Sequence, residues 1–224
     1  MEIPTHIQQA VQINNRPTGD RERDRFRKPA EVLTFFQIEA GDKVGELNAG
    51  RGYVSGIVAA AVGTDGLVYA HISPLSVERW KGDPIEKRLK KFPQNNMHSV
   101  VGEMESPNFP IELDKILIIM TYHDSVWTKV NRDLMNQSVF DALSSGGIYG
   151  ILDHHAQTGR GIDDCHSIHR IEKDFVVNEV LKAGFDLEDE SDLLENPDDN
   201  LTDMVFEKHI RDRTSRFLLR FKKP

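Results

Sequence analysis

Short apolar runs alternate with helical patterns along most of the chain. Residues 43–47 are predicted to form a short buried strand, residues 54–62 an apolar helix and residues 67–72 a second strand. This spacing is typical of a right-handed strand–helix–strand crossover. The run from Ile116 to Met120 contains no polar residue, as expected of a central parallel strand buried on both faces, and we predict this strand over residues 113–121.

Strands and helices continue to alternate in the second half of the chain, but no helix is predicted between its last two strands. The further predicted elements are strands over residues 97–102 and 148–152 and helices over residues 76–92, 130–143 and 172–183. The helix over 76–92 must be interrupted at Gly82-Asp83-Pro84. In the helix over 130–143, we expect Leu134, Val139, Phe140 and Leu143 to face the core. The last apolar segments, residues 185–188 and 216–221, are not separated by a helix of useful length, so we predict that they pair as antiparallel strands.

These patterns predict an α/β fold with a doubly wound, mostly parallel sheet. We expect a single domain over residues 29–224. Residues 1–28 are polar and rich in charges of both signs, and they predict an N-terminal arm or lid, either a solvated helix or a segment that offers an arginine to a ligand. Ligands of doubly wound sheets bind outside the carboxyl ends of the strands, so the residues that follow each strand are the informative ones.

Composition and charge exclude several classes of protein. The chain has 224 residues, 38% of them hydrophobic, which is enough for a core without disulfides, and its single cysteine excludes a disulfide framework. Its net charge of −8 argues against sequence-blind binding of nucleic acid, so we predict no nucleic-acid partner. It has no apolar run of about 20 residues and no apolar signal-peptide core near its start, which predicts a cytoplasmic protein without a membrane partner.

A turn of small residues follows the first predicted strand. The spacing of Gly50, Gly52 and Gly56 is one residue too long for a dinucleotide fingerprint, and the second strand lacks the acidic end that would hold a ribose. The other ligand of such a turn is S-adenosylmethionine, whose loop usually places an acidic residue before alternating glycines. Glu46, Gly50 and Gly52 fit that pattern, with Asn48 in place of the first glycine.

Several further segments occur in an order that is specific for one family. They are Arg27-Lys28-Pro29-Ala30-Glu31-Val32-Leu33, Asn48-Ala49-Gly50-Arg51-Gly52-Tyr53, Tyr122-His123-Asp124, Gly146-Gly147 leading to Asp153-His154, His169-Arg170, Asn196-Pro197-Asp198-Asp199-Asn200 and residues 216–224. From about Asp20 onward, the chain resembles class I S-adenosylmethionine-dependent methyltransferases, and more narrowly a bacterial group of predicted methyltransferases. The resemblance implies a Rossmann-like, seven-stranded sheet with an antiparallel last strand, and S-adenosylmethionine as cofactor.

The resemblance also implies which residues surround that cofactor. They are Glu46, Asn48, Ala49, Gly50, Gly52 and Tyr53 after the first strand, His71 and Ile72 by the ribose, Glu103 and Met104 by the adenine, and Thr121 and Tyr122 facing the sulfonium. His71 stands where many class I enzymes have an acidic residue. A neutral imidazole accepts one hydrogen bond where a carboxylate accepts both from the ribose hydroxyls, so we expect a weaker contact there.

Three polar groups follow the later strands: His123-Asp124, Asp153-His154 and His169-Arg170. Methyl transfer to oxygen or nitrogen is faster when a base removes the nucleophile's proton, and a histidine oriented by a carboxylate suits that role. We predict His123 or His154 as the base, with Asp124 or Asp153 orienting it. The alternative is that these side chains only hydrogen-bond the loops at the strand ends.

Trp127, His169 and Arg170 are predicted to contact the substrate. Trp127 would line a pocket for a flat molecule or simply cap the core. Arg170 would bind a carboxylate or phosphate, or form a salt bridge with Glu172 or Asp174. Histidine and aspartate also suit a divalent metal, and we considered Cys165, His166 and His169 as a small site, but without a fourth partner we assign no metal ligand.

We therefore predict a methyltransferase that acts on a small-molecule acceptor with His/Asp base assistance. Acidic single-domain proteins of this type are often dimers, so the oligomer we expect is a homodimer. Two alternatives remain open. One is a catalytically inactive binding or regulatory module of the same fold, which the replacements at Asn48 and His71 would explain. The other is a metal-dependent hydrolase or lyase that uses the histidine clusters.

Overall fold

The structure is a computed structural model that describes residues 2–224. The strands are β1 Lys43–Leu47, β2 Leu67–Ile72, β3 Met97–Val101, β4 Leu113–Ile119, β5 Leu143–His154, β6 Asp186–Leu194 and β7 Arg216–Lys222. The helices are α1 Thr5–Gln12, α2 Thr18–Arg27, α3 Pro29–Phe35, α4 Tyr53–Val62, α5 Pro74–Arg79, α6 Pro84–Leu89, α7 Asp124–Trp127, α8 Arg132–Ala142 and α9 Lys173–Lys182.

One seven-stranded sheet contains all these strands, in the order β3-β2-β1-β4-β5-β7-β6. Neighbours from β3 to β5 are parallel, and β7 lies antiparallel between β5 and β6. The predicted doubly wound α/β fold with an antiparallel last strand is therefore confirmed, as is the antiparallel pairing of the last two strands. Because β1, β4 and β5 are adjacent and parallel, their carboxyl ends meet at one edge of the sheet.

Two apolar layers cover the two faces of the sheet. One contains residues of α1, α3 and α4, and the other contains residues of α8 and α9. The central strand β4 contributes to both layers, since Leu117 and Ile119 belong to the first and Ile116 and Ile118 to the second. Alternate side chains of a strand point to opposite faces, so a strand covered on both sides requires the continuous apolar run seen in the sequence.

The helix predicted over 76–92 is two helices, α5 and α6, divided at the predicted interruption, and β6 continues to Leu194, beyond the predicted residues 185–188. Two further predicted elements also differ from the structure. The helix predicted over 130–143 begins at Arg132, where the Asn131 side chain accepts a hydrogen bond from the Leu134 amide. This start directs Met135 and Val139 inward and leaves Leu134 54% exposed, so the inward placement of Leu134 was wrong. Strand β5 is longer than predicted because it begins before the Gly146-Gly147 pair, where its register with β4 shifts.

The N-terminal segment, expected to form an arm, contains helices α1 and α2. Helix α1 buries Ile7 and Ala10 against α4, whereas α2 buries no residue. Ion pairs bind α2 to its surroundings: Asp24 to Arg16 at 2.8 Å, and Asp20 to Arg88 at 2.7 Å. Within residues 2–224, no helix has both the length and the apolar character needed to cross a bilayer.

Candidate active site

The turn between β1 and α4 has an unusual backbone that its sequence permits. Asn48, Gly50 and Gly52 have φ values of 53°, 60° and 73°, a region that glycine adopts freely and asparagine more readily than most residues. A β-carbon on Gly50 would find only the edge of the Trp80 ring, 4.0 Å away. The space in front of Gly50 is therefore open, and a ligand can approach the backbone closely.

Glu46 connects the end of β1 to the start of α4. Its Oε2 atom accepts hydrogen bonds from the Ser55 backbone N–H, at 2.7 Å, and from the Ser55 hydroxyl. The carboxyl group is buried, and this burial raises its pKa to about 7 despite those bonds. Glu46 thus satisfies a free N–H group in the first turn of α4 and fixes the geometry of the turn.

His71 fastens this turn to the end of β3. Its Nδ1 atom accepts a hydrogen bond from the Asn48 backbone N–H at 3.2 Å, and its Nε2–H donates to the Gly102 carbonyl at 2.8 Å. Burial lowers the pKa of the imidazole to about 4, so the ring is neutral and can make both bonds. In this arrangement neither ring nitrogen is free for a ribose hydroxyl.

The remaining residues predicted around the cofactor differ in their accessibility. Ile72 and Met104 are buried, whereas Glu103 is exposed at the end of β3. The Thr121 hydroxyl, just after β4, is buried and has no hydrogen-bond partner among residues 2–224. A buried hydroxyl without a partner is costly, so this position favours a polar ligand atom.

Two tyrosines predicted in the site use their hydroxyl groups elsewhere. The Tyr122 hydroxyl donates to Glu179 at 3.0 Å and accepts from Asn136 at 2.9 Å, in the layer of α8 and α9. The Tyr53 hydroxyl donates to Asp24 of α2 at 2.8 Å. Tyr122 therefore supports the end of β4 from behind, and Tyr53 attaches α2 to the start of α4.

The polar residues that follow β4 and β5 meet in space. His123 Nδ1 lies 2.7 Å from Asp153 Oδ1, and both side chains are buried. Asp153 also accepts the backbone N–H groups of His123, at 2.8 Å, and of His154, at 2.7 Å. An ionised carboxylate accepts only, so Asp153 fixes the His123 ring with Nδ1–H donating and Nε2 turned toward the sheet edge.

Two further side chains approach that Nε2 atom. Asp124 Oδ1 lies 3.2 Å away, and His169 Nδ1, from the long loop after β5, lies 3.3 Å away. The Trp127 ring N–H donates to Asp124 Oδ1 at 2.7 Å. We call His123, Asp124, Asp153, His154 and His169 the polar cluster.

The surroundings of His123 and His154 shift the pKa values of these two imidazoles in opposite directions. Burial alone lowers the pKa of His123, but the Asp153 and Asp124 carboxylates outweigh it and raise this pKa to about 10. Burial, together with the positive charges of His123 and Arg216, lowers the pKa of His154 well below its usual value. At neutral pH, His123 is therefore charged and His154 neutral.

His154 lies on the same face of the sheet as a small cavity. Its Nδ1 atom is 2.7 Å from the Thr214 hydroxyl. The cavity lies between α3, α4 and the ends of β4 and β5, and its lining is almost wholly apolar. The lining residues are Arg27, Pro29, Val32, Leu33, Tyr53, Val54, Ile57, Ile119, Met120, Leu152 and Arg216. Leu152 and His154 are two residues apart on β5, so both face the cavity's side of the sheet.

Arg170 is placed away from the polar cluster, in an ion pair of its own. It binds Asp199 through two hydrogen bonds of 2.9 Å, and both side chains are fully buried. Arg170 also donates to the carbonyls of Asp203 and His155, at 3.0 and 3.1 Å. Four of its five N–H groups are thus used by protein atoms, and its partner is neither Glu172 nor Asp174.

Solved structures share this architecture, although no protein-family model and no curated protein matches the sequence. An S-adenosylmethionine-dependent methyltransferase from Aquifex aeolicus aligns over 90% of this chain and 98% of its own, with a TM-score of 0.64 and 14% identity. Aeropyrum pernix fibrillarin, with natively bound S-adenosylmethionine, aligns over 89% of this chain and 76% of its own, with a TM-score of 0.59 and 12% identity. This chain has the class I methyltransferase fold.

The class I methyltransferase fold does not by itself decide the reaction. The cyclase SpnF also matches, over 95% of this chain and 85% of its own, with a TM-score of 0.67 and 12% identity. At identities this low, similarity establishes the fold, and function has to be argued from the site.

Within this fold, sequence reasoning missed two residues that support the site. Asp199, the partner of Arg170, lies in the Asn196–Asn200 segment that contributed to the family resemblance, so a signal for it was present. Thr214, the partner of His154, stands in a polar loop with no recognisable pattern. Cys165 is buried, and among residues 2–224 neither it nor His166 joins a group of metal-ligating side chains.

Proposed function

We propose that the protein is an S-adenosylmethionine-dependent methyltransferase that acts on a small-molecule acceptor. The observation that carries this proposal is a juxtaposition at one sheet edge. The left-handed turn at Asn48, Gly50 and Gly52 follows β1, the unpartnered Thr121 hydroxyl follows β4, and His154 ends β5 at the same edge of the sheet. A methyl donor in the turn and an acceptor beside His154 would thus lie at the same edge.

The residues around the turn fit this cofactor. The backbone of Ala49, Gly50 and Gly52 would hold the methionine part, because the left-handed turn leaves open space in front of Gly50. The unpartnered hydroxyl of Thr121 would gain a partner. We assign His71 to the shape of the turn rather than to the ribose, since both its nitrogens bind backbone.

The cofactor supplies an electrophilic methyl group when bound. The protein has to place the acceptor and remove its proton. Charged His123 and neutral His154 are two like groups whose environments push their pKa values apart, which is a signature of divided acid and base roles. With His154 Nδ1–H donating to Thr214, its Nε2 lone pair accepts the proton of the acceptor. The net charge of −8 argues against a nucleic-acid acceptor, so we propose a small molecule.

Calorimetric titration with S-adenosylmethionine and with S-adenosylhomocysteine tests the cofactor. We expect one site per chain with micromolar affinity, weakened about tenfold or more by Gly50→Ala. Gly63→Ala is the matched control, because Gly63 also has a positive φ, of 71°, and open space around it, but follows α4. If the folded protein binds neither compound at saturating concentration, the methyltransferase proposal is rejected in favour of an inactive module.

Transfer of a labelled methyl group to a small-molecule extract tests the acceptor and the base. We expect label in the small-molecule fraction, with none in added RNA or protein. His154→Gln should slow the transfer by about 10²- to 10⁴-fold and leave cofactor affinity unchanged. Transfer at the wild-type rate would remove His154 from the mechanism.

A further inference from the structure

Three side chains of the polar cluster direct ligand atoms toward one point. His123 Nε2 and Asp124 Oδ1 are 3.2 Å apart, His123 Nε2 and His169 Nδ1 are 3.3 Å apart, and His169 Nδ1 and Asp124 Oδ1 are 3.6 Å apart. His123 and Asp124 come from the end of β4, and His169 comes from a loop more than 40 residues later in the chain. We call these three residues the triad.

The three ligand atoms of the triad form a triangle, and its sides match the distances between neighbouring ligands of one metal ion. Nitrogen and oxygen ligands about 2.1 Å from an ion lie about 3.4 Å apart in a tetrahedral site and about 3.0 Å apart as neighbours in an octahedral one. The three observed separations are close to these values without any movement of the backbone.

The residues behind the triad orient two of its ligand atoms. Because Asp153 accepts the Nδ1–H of His123, Nε2 is the ring nitrogen that faces the other two ligand atoms, and loss of its proton frees a lone pair there. A carboxylate behind a ligating histidine is the usual outer partner of a metal site. Trp127 donates to Asp124 Oδ1 at 2.7 Å and holds this carboxylate in place.

The triad is closed on one side and open on the other. The His123 side chain is only 4% exposed, whereas those of Asp124 and His169 are 25% and 24% exposed. Three protein ligands with open positions toward solvent are typical of catalytic rather than structural metal sites. Two imidazoles and one carboxylate favour first-row transition metals over magnesium or calcium.

We propose that His123, Asp124 and His169 bind one divalent transition-metal ion at the carboxyl edge of the sheet. This departs from our sequence-based assignment of no metal ligand, because His169 is brought to the site only by the fold. The ion would take the place of a proton on His123 Nε2. Its open positions would hold an oxygen or nitrogen of the acceptor near His154. This last role rests on the proposed function, whereas binding of the ion does not.

Titration of tag-free, chelator-treated protein with Co²⁺ tests the site directly. We expect one ion per chain, with the visible absorption of Co²⁺ bound by nitrogen and oxygen, and displacement by Zn²⁺. Asp124→Ala and His169→Ala should each weaken binding by more than about 100-fold, and Asp153→Asn by about 10- to 100-fold with the stoichiometry kept. Circular dichroism verifies that the variants fold, as expected of the partly exposed Asp124 and His169.

His209→Ala is the matched control. His209 is also paired with a carboxylate, Asp203 at 2.8 Å, but is exposed and distant in sequence from the triad, so its loss should leave Co²⁺ binding unchanged. The metal proposal is overturned if folded wild-type protein binds no Co²⁺, or if Asp124→Ala and His169→Ala bind it like wild type. Cofactor titration in the presence of chelator is scored separately, so failure of the metal site and failure of the methyltransferase proposal are distinguishable.

Discussion

The buried ion pair between Arg170 and Asp199 holds together the loops that follow β5 and precede β7. Asp199→Ala removes both carboxylate oxygens that bind the Arg170 guanidinium at 2.9 Å. The same oxygens accept the backbone N–H groups of Ser215, at 2.6 Å, and Leu201, at 3.1 Å. The substitution therefore leaves a buried positive charge and two backbone donors without their partners.

The size of the effect follows from burial. Neither side chain of the pair is exposed to solvent, so water cannot replace the lost carboxylate. Removing one partner of such a pair typically costs about 3–5 kcal/mol. We expect the free energy of unfolding to fall by about 4 kcal/mol, which corresponds to a melting temperature about 8–16 °C lower in a chain of this length.

Urea unfolding followed by circular dichroism measures this loss. Glu190→Ala is the control, because the Lys173–Glu190 pair has the same kind of charges at 2.8 Å but is exposed, and its removal should cost less than about 1 kcal/mol. Replacing both members by apolar residues, as in Arg170→Met with Asp199→Leu, should recover only the part of the loss that comes from the unpaired charge, because the backbone N–H groups of Ser215 and Leu201 stay without partners. A loss at Asp199→Ala as small as the loss at Glu190→Ala would refute the reasoning.

Three further variants test other parts of the fold and site. Because burial holds the Glu46 pKa at about 7, against 4.5 in the unfolded chain, the folded protein binds this proton more tightly and its stability falls as pH rises from about 4.5 to 7. The free energy of unfolding should fall by about 3 kcal/mol across that pH range, and Glu46→Gln should abolish this fall. Urea unfolding at several pH values measures it. His71→Ala should lower the free energy of unfolding by about 2 kcal/mol or more, because the Asn48 N–H and the Gly102 carbonyl lose their hydrogen-bond partners. It should also weaken cofactor binding measured by calorimetry. If both values stay unchanged, His71 does not hold the turn to the end of β3. Gly45→Ala should lower the melting temperature by an amount equivalent to about 1–3 kcal/mol, because its β-carbon would lie 2.9 Å from Leu113 Cδ1, whereas Gly19→Ala, in open space on α2, should not lower it.

The pattern of apolar and polar residues was sufficient to predict most of the strands and helices and their arrangement in the sheet. The apolar run of β4 predicted a strand covered on both faces, and the order of strands and helices predicted the doubly wound sheet. The absence of a helix between the last two apolar segments predicted their antiparallel pairing. The reason is that the faces of a helix or strand that are buried determine which of its positions are apolar, so the period and the length of the apolar runs indicate those faces. The helix phase at Leu134 was mispredicted because it depends on where the Asn131 cap starts the helix, within a residue or two.

The sequence also determined which polar residues follow the strands, since parallel neighbours bring their carboxyl ends to one edge. It did not determine the partners of those residues. His169 contacts His123 across more than 40 residues, Arg170 pairs with Asp199 rather than with a nearby acid, and both ring nitrogens of His71, predicted to lie by the ribose, bind backbone groups. Only the tertiary structure decided these contacts. A hydrogen bond or an ion pair requires that two side chains lie about 3 Å apart, and the number of residues between them in the sequence does not determine this distance.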